Sequence, residues 1–422
     1  MHSIKFIREN KEIISNCIRH KKSDINIDDI LDLDLKRRTL IQEVENLKAE
    51  RNIINNNIFN KKKNNEDCSD LIDSMKSISV KIKALDNDLT EFNISLEDKL
   101  KYIPNIIHKS VPIGSNSNDN KVVKEWGVKP DFDFQPKSHL ELAEILNLLD
   151  FKRSAKISGT AFPLYVHNGA KLERSLINFM LDTHIDKHKY IEVFPPFLVS
   201  SNSPYTTGNL PKFKEDMYYI ENDDLYCIPT AEVPITNFYS NEILIEKDLP
   251  KQFVAYSACF RREAGSYGKD TKGLQRLHQF NKVELVKFVH PEHSYKELDK
   301  LLSDAERILQ DLNLHYRVIE LCSGDLSFSA AKCYDIEVWS PFEERYLEVS
   351  SCSNFESFQA QRGNIKYRNS ETNKLDFVHT LNGSGLATPR LMIAILESYQ
   401  NKDGKVNVPD LIKPYFGKDL IV

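Results

Sequence analysis

Apolar residues recur every seven positions along two stretches near the start of the chain. One stretch carries two such series, Met75, Ile82, Leu89 and Leu96 together with Leu71, Ile78, Leu85 and Phe92; the other carries Leu33, Leu40, Leu47 and Ile54. This spacing is typical of helices that pack as a coiled coil. Residues 60–70 (NKKKNNEDCSD) separate the stretches and predict a turn. We therefore predict an antiparallel helical hairpin within an N-terminal domain, residues 1–102.

The hairpin is locally basic. Residues 36–83 contain eleven lysines and arginines against seven aspartates and glutamates, although the whole chain has a net charge of −5. Two interpretations fit this excess: an ordinary solvated helical face, or a protruding arm that contacts phosphates. The overall negative charge excludes a bulk nucleic-acid binder, so any contact with a polyanion must be local.

The rest of the chain mixes short strands with helices. Residues 103–136 are rich in Pro, Gly, Ser and Asn and predict a linker, whereas 139–150 and 170–185 show helical apolar spacing. The β-rich runs beyond them come mostly in near-adjacent pairs and not as regular βαβ units. We predict an α+β domain over residues 137–422, an antiparallel sheet flanked by helices.

Composition indicates the cellular compartment and the state of the cysteines. The seven cysteines form no CxxC pair and no zinc spacing, which predicts reduced thiols and no zinc site. The charged N-terminus argues against a secretory signal, and no apolar run reaches the length of a membrane span. We expect a cytoplasmic protein without membrane contact. The chain also has neither a P-loop nor a Rossmann glycine motif, so ATP, if used, is held by other means.

Residues 258–285 (ACFRREAGSYGKDTKGLQRLHQFNKVEL) gather opposite charges beside glycines. We predict two strands joined by a polar glycine-containing loop. Strand alternation would place Arg261 and Glu263 on one face of the sheet, and would likewise place Lys282 and Glu284 on one face. Two interpretations are open: a guanidinium site for phosphate or carboxylate, or a cross-strand ion pair such as Arg261 with Glu284.

Three further segments carry candidate chemistry. In IPTAEVP (228–234) we predict a strand with Thr230 and Glu232 on one side. In YLEVSSCSN (346–354) we predict a strand whose Glu348, Ser350 and Ser351 offer the oxygen ligands that a Mg²⁺–nucleotide complex favours. In residues 380–400 a small-residue loop leads into a helix with Arg390 near its start. Each also has an ordinary structural explanation: an edge strand, a polar strand and a helix cap.

Taken together and in this order, the segments resemble class II aminoacyl-tRNA synthetases, specifically the seryl-tRNA synthetase family. KYIEVFPPFLV, the 258–285 stretch and NGSGLATPR resemble the three class motifs, and the hairpin, TAEVP and EVSSCSNFESFQ resemble the same family. The resemblance covers nearly the whole chain. It implies a homodimer that activates L-serine with ATP and Mg²⁺ and transfers it to a tRNA with a long variable arm; whether a selenocysteine tRNA is also a substrate stays open.

The resemblance also implies residue roles. The catalytic residues would be Arg261, bridging the serine carboxylate and the α-phosphate, and Arg390, at the γ-phosphate end. The remaining roles divide by ligand: serine with Thr230, Ala231, Glu232, Arg261, Glu284, Thr380 and Ser384; ATP with Arg261, Arg262, Glu263, Leu277, Glu348, Val349, Ser350, Ser351 and Arg390; Mg²⁺ with Glu348 and Ser351; tRNA with Arg37, Arg38, Arg51, Lys61, Lys62 and Lys63.

The chain departs from the family pattern in places. Residues 206–209 read Thr-Thr-Gly-Asn where Gly-Thr-Gly-Gln is usual, and Thr388-Pro389 replaces Val-Gly before Arg390. Two other functions stay open at this point. One is a related ligase that loads an amino acid onto a carrier protein, against which the intact arm argues. The other is an inactive RNA-binding or regulatory adaptor, against which the retained charged residues argue.

Overall fold

The computed structural model describes residues 2–263 and 272–422. The chain divides into two compact units, Met1–Pro104 and Asn105–Val422. The predicted boundaries, 1–102, 103–136 and 137–422, remain an interpretation of the sequence, with the first unit ending two residues beyond the predicted N-terminal domain.

The first unit is helical. Its helices are α1 (Ile4–Glu9), α2 (Lys11–His20), α3 (Ile27–Lys63) and α4 (Ser69–Leu100). The two long helices, α3 and α4, pack against each other as the predicted hairpin. On α4 they bury Ile78, Ile82 and Leu96 of the predicted series. On α3 the predicted series, Leu33, Leu40, Leu47 and Ile54, is half-buried, and the buried side chains are those beside it, Ile30, Val44 and Ile58. The side chain of Asn26 accepts the amide of Asp28 and so caps the start of α3.

Ile30, Arg37 and Val44 follow one another at seven-residue spacing on α3, and a buried carboxylate explains the arginine between the two apolar residues. Asp34 is fully buried and accepts hydrogen bonds from Arg8 at 2.7 Å, Arg37 at 3.1 Å and Arg38 at 3.1 Å. Burial by itself would raise the pKa of Asp34, but the hydrogen bonds from Arg8 and Arg37 outweigh it and lower the pKa. Arg37 also reaches Asn93 on α4 at 3.4 Å, so it links the two helices.

The second unit contains the remaining elements. Its helices are α5 (His139–Ile145), α6 (Phe151–Ser158), α7 (His167–Asp186), α8 (Asn202–Thr207), α9 (Glu232–Thr236), α10 (Ser294–Asp311), α11 (Phe358–Gly363), α12 (Thr388–Ser398) and α13 (Lys413–Phe416). Its strands are β1 (Lys121–Trp126), β2 (Ile191–Glu192), β3 (Leu198–Ser200), β4 (Tyr219–Ile220), β5 (Leu225–Cys227), β6 (Ile243–Ile245), β7 (Lys251–Phe260), β8 (Gln279–Val289), β9 (Tyr316–Glu320), β10 (Lys332–Ser340), β11 (Arg345–Asn354), β12 (Lys366–Arg368), β13 (Leu375–Phe377), β14 (His379–Ala387), β15 (Val406–Asn407) and β16 (Leu420–Ile421).

One large sheet organises this unit. Its strand order is β1-β9-β10-β11-β14-β8-β7-β2, and neighbours pair antiparallel except for the short parallel pair β2–β7. The α+β prediction is confirmed. The edge strand β1 lies inside the segment 103–136, where the sequence indicated only a linker. Its side chains are mostly exposed, so the apolar pattern of a buried strand is missing there.

Helices α7, α10 and α12 contribute buried apolar residues to the main core beside this sheet. Register then brings distant segments together: on β8, Glu284 lies opposite Ser384 of β14 and Ala255 of β7. Among the described residues, no helix is long and apolar enough to cross a membrane.

Candidate active site

A cavity of about 660 Å³ opens in the second unit, on elements that are far apart in sequence. The sequence-predicted residues that line it are Thr230, Glu232, Arg261, Glu263, Leu277, Glu348, Val349, Ser350, Ser351, Ser384 and Arg390. They come from the turn before α9, the end of β7, the approach to β8, β11, β14 and the first turn of α12. The fold therefore gathers most of the predicted site in one place.

Arg261 and Glu263 line the cavity from the segment that follows β7, not from the strand itself. Strand β7 ends at Phe260, and Glu263 has a left-handed backbone with φ of 49°. The prediction that the two residues share a strand face is therefore wrong. The Arg261 amide still donates to the carbonyl of His278, in register with the pairing of β7 and β8, whereas the Arg262 amide donates to the carbonyl of Asp216 and so leaves the sheet.

Each of these two side chains has a defined partner. The Arg261 guanidinium lies 5.1 Å from the ring centre of Phe280, and its Nε donates to the carbonyl oxygen of Pro229 at 3.4 Å. A carboxylate oxygen of Glu263 lies 2.6 Å from an Arg276 nitrogen. The predicted loop glycines Gly265 and Gly268 lie outside the described residues. The alternative ion pair of Arg261 with Glu284 does not form; Glu284 pairs with Lys282 at 2.6 Å.

Thr230 and Glu232 lie in a turn and a helix, not on the predicted strand. The Thr230 hydroxyl accepts the amide of Glu232 at 3.1 Å, a local bond that competes with strand pairing. Glu232 then starts α9, whose first turn accommodates Pro234. The strand prediction for this segment is wrong, but both side chains still line the cavity.

Glu232 is half-buried, and it lines the cavity. Burial, reinforced by the nearby charge of Glu284, raises its pKa to about 7. Its Oε1 accepts a hydrogen bond from Gln359 Nε2 at 2.7 Å, and Gln359 Oε1 accepts from the Thr380 hydroxyl at 2.7 Å. Thr380 therefore lies behind Glu232, connected through Gln359.

Four predicted site residues do not line the cavity. Ala231 and Thr380 are fully buried. Glu284 is also fully buried and accepts from Asn382 at 3.0 Å in addition to its ion pair. The Arg262 guanidinium lies 5.8 Å from the ring centre of Tyr218. Glu284 and Thr380 still act on the cavity through Lys282, Asn382 and Gln359.

Arg390 is held at the opposite wall by backbone carbonyls. Its Nε donates to Gln275 at 3.2 Å and its Nη1 donates to the carbonyl of Glu348 at 2.7 Å. The same nitrogen lies 3.6 Å from the Glu348 carboxylate. Proline is favoured in the first turn of a helix, so Pro389 starts α12 with this arginine directed at the cavity.

The wall formed by β11 carries the predicted Mg²⁺ ligands. Glu348 presents a carboxylate that is about half exposed, and the Ser351 hydroxyl lies 3.1 Å from Cys333 Sγ. One carboxylate and one hydroxyl, completed by phosphate oxygens and water, form a donor set that suits Mg²⁺. Within residues 2–263 and 272–422 there is no cluster of three or more His, Cys, Asp or Glu side chains able to hold a metal on its own.

Several residues that line the cavity or support its walls were not predicted from the sequence. Lys282 was noticed only as a neighbour of Glu284, yet it lines the cavity while 6% exposed. Arg276 pairs with Glu263, Asn382 binds Glu284, and Gln359 binds Glu232. The charge-rich stretch 258–285 contains Lys282 and Arg276, and Gln359 ends the family-like segment EVSSCSNFESFQ, but neither segment indicated these roles by itself.

Comparison with known proteins matches both units. Residues 1–107 match the seryl-tRNA synthetase N-terminal domain, and residues 212–399 match the class II tRNA synthetase core domain (G, H, P, S and T). The chain is 54% identical over 417 residues to a serine–tRNA ligase from Syntrophobacter fumaroxidans, covering 99% of each chain. The chain belongs to the seryl-tRNA synthetase family.

Other members of the seryl-tRNA synthetase family agree over the full length. A serine–tRNA ligase from Caldicellulosiruptor saccharolyticus is 55% identical over 421 residues, with complete coverage of both chains. The crystal structure of seryl-tRNA synthetase from Pyrococcus horikoshii complexed with ATP has a TM-score of 0.95 at 38% identity, covering 100% of this chain and 99% of that one. The predicted family is therefore confirmed by sequence and by structure.

Proposed function

We propose that the cavity is where this serine–tRNA ligase condenses L-serine with ATP before transferring serine to tRNA. One observation carries the proposal: Arg261, Glu232, Glu348 and Arg390, drawn from four separate segments, line the same cavity. Two guanidinium groups suit phosphate and carboxylate ligands, and a half-buried carboxyl group suits an ammonium.

In activation, a serine carboxylate oxygen attacks the α-phosphorus of ATP, a new C–O–P bond forms, and the bond to the β-phosphate oxygen breaks to release pyrophosphate. The attacking carboxylate is already ionised, so no general base is needed. The obstacle is the approach of two anions, which positioned cations reduce. We assign Arg261 to the carboxylate and α-phosphate, and Arg390 to the far end of the triphosphate.

The adenine and metal contacts follow from the walls. We assign Glu263 and Leu277, which line the cavity, to the adenine side, and Val349 and Ser350 to the nucleotide on β11. Arg262 precedes Glu263 without lining the cavity, and its assignment to the adenine side rests on the family resemblance alone. Mg²⁺ bound with ATP neutralises phosphate charge, and Glu348 and Ser351 would hold it. Glu348 is suited to this because its carboxylate is half exposed beside Arg390.

Serine is recognised as a small ammonium-bearing ligand. We assign the ammonium to Glu232, whose charge is supported by the hydrogen bond from Gln359. Thr230 and Ser384 line the same cavity, and Ala231, Glu284 and Thr380 support it from behind. A pocket whose polar groups need the serine hydroxyl rejects alanine, because those groups are left unpaired.

The helical arm supplies the tRNA contact in this proposal. Lys61, Lys62 and Lys63 occupy the last turn of α3 and are exposed, so they can bind phosphates. Arg51 is half-buried. Arg37 and Arg38 bind Asp34, so their role is at least partly structural. The long-variable-arm tRNA is the partner we assign, with selenocysteine tRNA as a further candidate and the cytoplasm as the place of action.

A second copy of the chain is the partner we assign to an apolar groove of about 590 Å³. It is lined by the segment that resembles the first class motif, including Phe194, which is 74% exposed, and by Phe238, which is 57% exposed. Exposed aromatic side chains of this kind mark interaction surfaces. The proposed homodimer buries them against the same groove of its partner.

The test is serine-dependent exchange of pyrophosphate into ATP, followed by charging of a long-variable-arm tRNA. Wild type should support both, Arg261→Ala should lose both, and a variant with Lys61, Lys62 and Lys63 changed to alanine should keep exchange but charge poorly. Exchange without any tRNA charging would favour the carrier-protein ligase. Absence of exchange in wild type would favour the adaptor.

A further inference from the structure

Thr388, the first residue of α12, connects the helix that carries Arg390 to a buried polar cluster formed with α7 and β8. Its hydroxyl is in hydrogen-bond contact with Glu173 Oε1 on α7 and lies 3.1 Å from the backbone carbonyl of Asn281 on β8. The Asn281 side-chain amide donates to the same Glu173 oxygen at 2.8 Å. Thr388 is fully buried and Glu173 is 5% exposed.

The hydrogen inventory of this cluster depends on the state of Glu173. The Thr388 hydroxyl carries one hydrogen, and the Asn281 carbonyl can only accept. If Glu173 is ionised, it too can only accept, so one of the two Thr388 contacts has no hydrogen. If Glu173 is a neutral carboxylic acid, it donates to Thr388, Thr388 donates to Asn281, and both contacts are satisfied.

The surroundings also favour the neutral acid. The second carboxyl oxygen, Oε2, is buried and has no hydrogen-bond partner, and the same holds for the hydroxyl of Tyr165. Throughout the described part of the chain, no lysine, arginine or histidine forms an ion pair with Glu173. The titratable groups that face it are Tyr165 and Tyr256, and both are neutral phenols at neutral pH.

The electrostatics agree with this geometry. Burial raises the pKa of Glu173 to about 7, although the rise is opposed by Thr388 and Asn281, which both donate to the carboxylate when it is ionised. The phenol of Tyr256 donates to Asn281 Oδ1 at 3.1 Å, which fixes that amide with its nitrogen toward Glu173. Near neutral pH, Glu173 therefore changes between its neutral and its ionised form.

We propose that Glu173 is a positioning residue. As a neutral acid it donates a hydrogen bond to Thr388 and thereby holds the start of α12, and with it Arg390, in place for ATP. Loss of the Glu173 proton puts an unpaired charge in the core beside Thr388 and loosens the helix start. The inference rests on the proposed role of Arg390 in ATP binding. It concerns ATP and not serine, because Arg390 is two residues from Thr388 whereas Glu232 lies on α9.

The test measures the KM for ATP and the KM for serine by pyrophosphate exchange across a range of pH. In wild type, the KM for ATP should rise by up to about eightfold between about pH 6.5 and about pH 8, the change given by a group that titrates near 7. Glu173→Gln cannot ionise, so its KM for ATP should be independent of pH; the value should lie above the low-pH wild-type value, because an amide nitrogen that donates to Thr388 cannot also accept from Asn281.

Thr388 supplies the second arm of the test. Thr388→Ser keeps the hydroxyl and should keep the alkaline rise in the KM for ATP, whereas Thr388→Val should raise that KM at all pH values and flatten the profile. Glu397→Gln is the matched control: Glu397 is a fully buried glutamate of the same helix that accepts from Ser340 and His139. It should keep the alkaline rise even if it lowers stability.

The outcomes separate the possibilities. An alkaline rise that persists unchanged in Glu173→Gln would overturn the proposal, and any titration of ATP itself would persist in the same way. If Glu173→Gln and Thr388→Val lower only the urea midpoint, the cluster is structural and the proposal fails. Absence of exchange in wild type at every pH would instead refute the proposed function.

Discussion

The raised pKa of Glu232 makes serine binding depend on pH, and this dependence can be worked out from the structure. Glu232 lies half-buried in the cavity beside Glu284, and both burial and that neighbouring charge favour its neutral form. The proposed ligand carries an ammonium, which binds the ionised form. Serine binding must therefore displace a proton whenever Glu232 is protonated, and acid should weaken binding.

The size of the effect follows from the pKa of about 7. The ionised fraction of Glu232 falls from about nine-tenths at pH 8 to about one-tenth at pH 6. If only the ionised form binds, the KM for serine rises about tenfold over that interval, or about 1.4 kcal/mol. The ammonium of free serine stays protonated throughout, so it does not contribute.

The assay is pyrophosphate exchange at saturating ATP, with serine titrated at each pH. Glu232→Gln should raise the KM for serine at pH 8 by roughly 2 kcal/mol, or about thirtyfold, because a charge-assisted hydrogen bond is lost, and its profile should be flat. Glu242→Gln is a suitable control, because Glu242 is an exposed glutamate on the surface, and it should keep the wild-type slope.

Two results would refute the reasoning. A KM for serine that is constant from pH 8 to pH 6 in wild type would mean that Glu232 does not titrate there or does not bind the ammonium. An acid-side rise that persists in Glu232→Gln would assign it to another group. The KM for ATP should move in the opposite direction through Glu173, so the two substrates report separate ionisations.

Four further predictions rest on individual contacts. Arg390→Lys loses the guanidinium hydrogen bonds to two backbone carbonyls, so kcat/KM for ATP in pyrophosphate exchange should fall about thirtyfold, equivalent to about 2 kcal/mol. An unchanged kcat/KM would show that Arg390 does not contribute to ATP binding. Asp34→Ala should lower the free energy of unfolding of the first unit by about 3 kcal/mol in urea titration without changing tRNA-independent exchange, because three arginines lose their buried partner. Phe194→Asp should halve the mass measured by light scattering, and a wild-type monomer would contradict the proposed dimer. Glu173 has a higher pKa in the folded than in the unfolded state, so the stability it contributes is complete below about pH 4.5 and is lost as pH rises through about 7. In wild type the free energy of unfolding, measured by urea titration, should therefore decline over this interval, and Glu173→Gln should remove about 3 kcal/mol of the decline. The same decline in the variant as in wild type would contradict the assignment.

What the sequence by itself determined was local or carried by long motifs. The seven-residue apolar spacing determined the hairpin, because the spacing is visible within each continuous helical segment and the two helices that pack together are neighbours in the sequence. The order of the charged segments identified the family, and most of the residues that it named for serine and ATP line the cavity. Arg390 in the first turn of a helix was predictable for the same reason, because Pro389 is suited to that position.

Only the tertiary structure decided how those residues are held. Strand alternation was the wrong guide for Glu263, because β7 ends at Phe260, and for Glu232, because a turn bond starts a helix there. The exposed strand β1 has no apolar signature, and its position follows from pairing with β9. Glu173 and Thr388 are 215 positions apart, so the sequence carries no local sign of their contact. Such contacts depend on how the whole chain packs, since a buried polar group finds its partner wherever the fold brings one within reach.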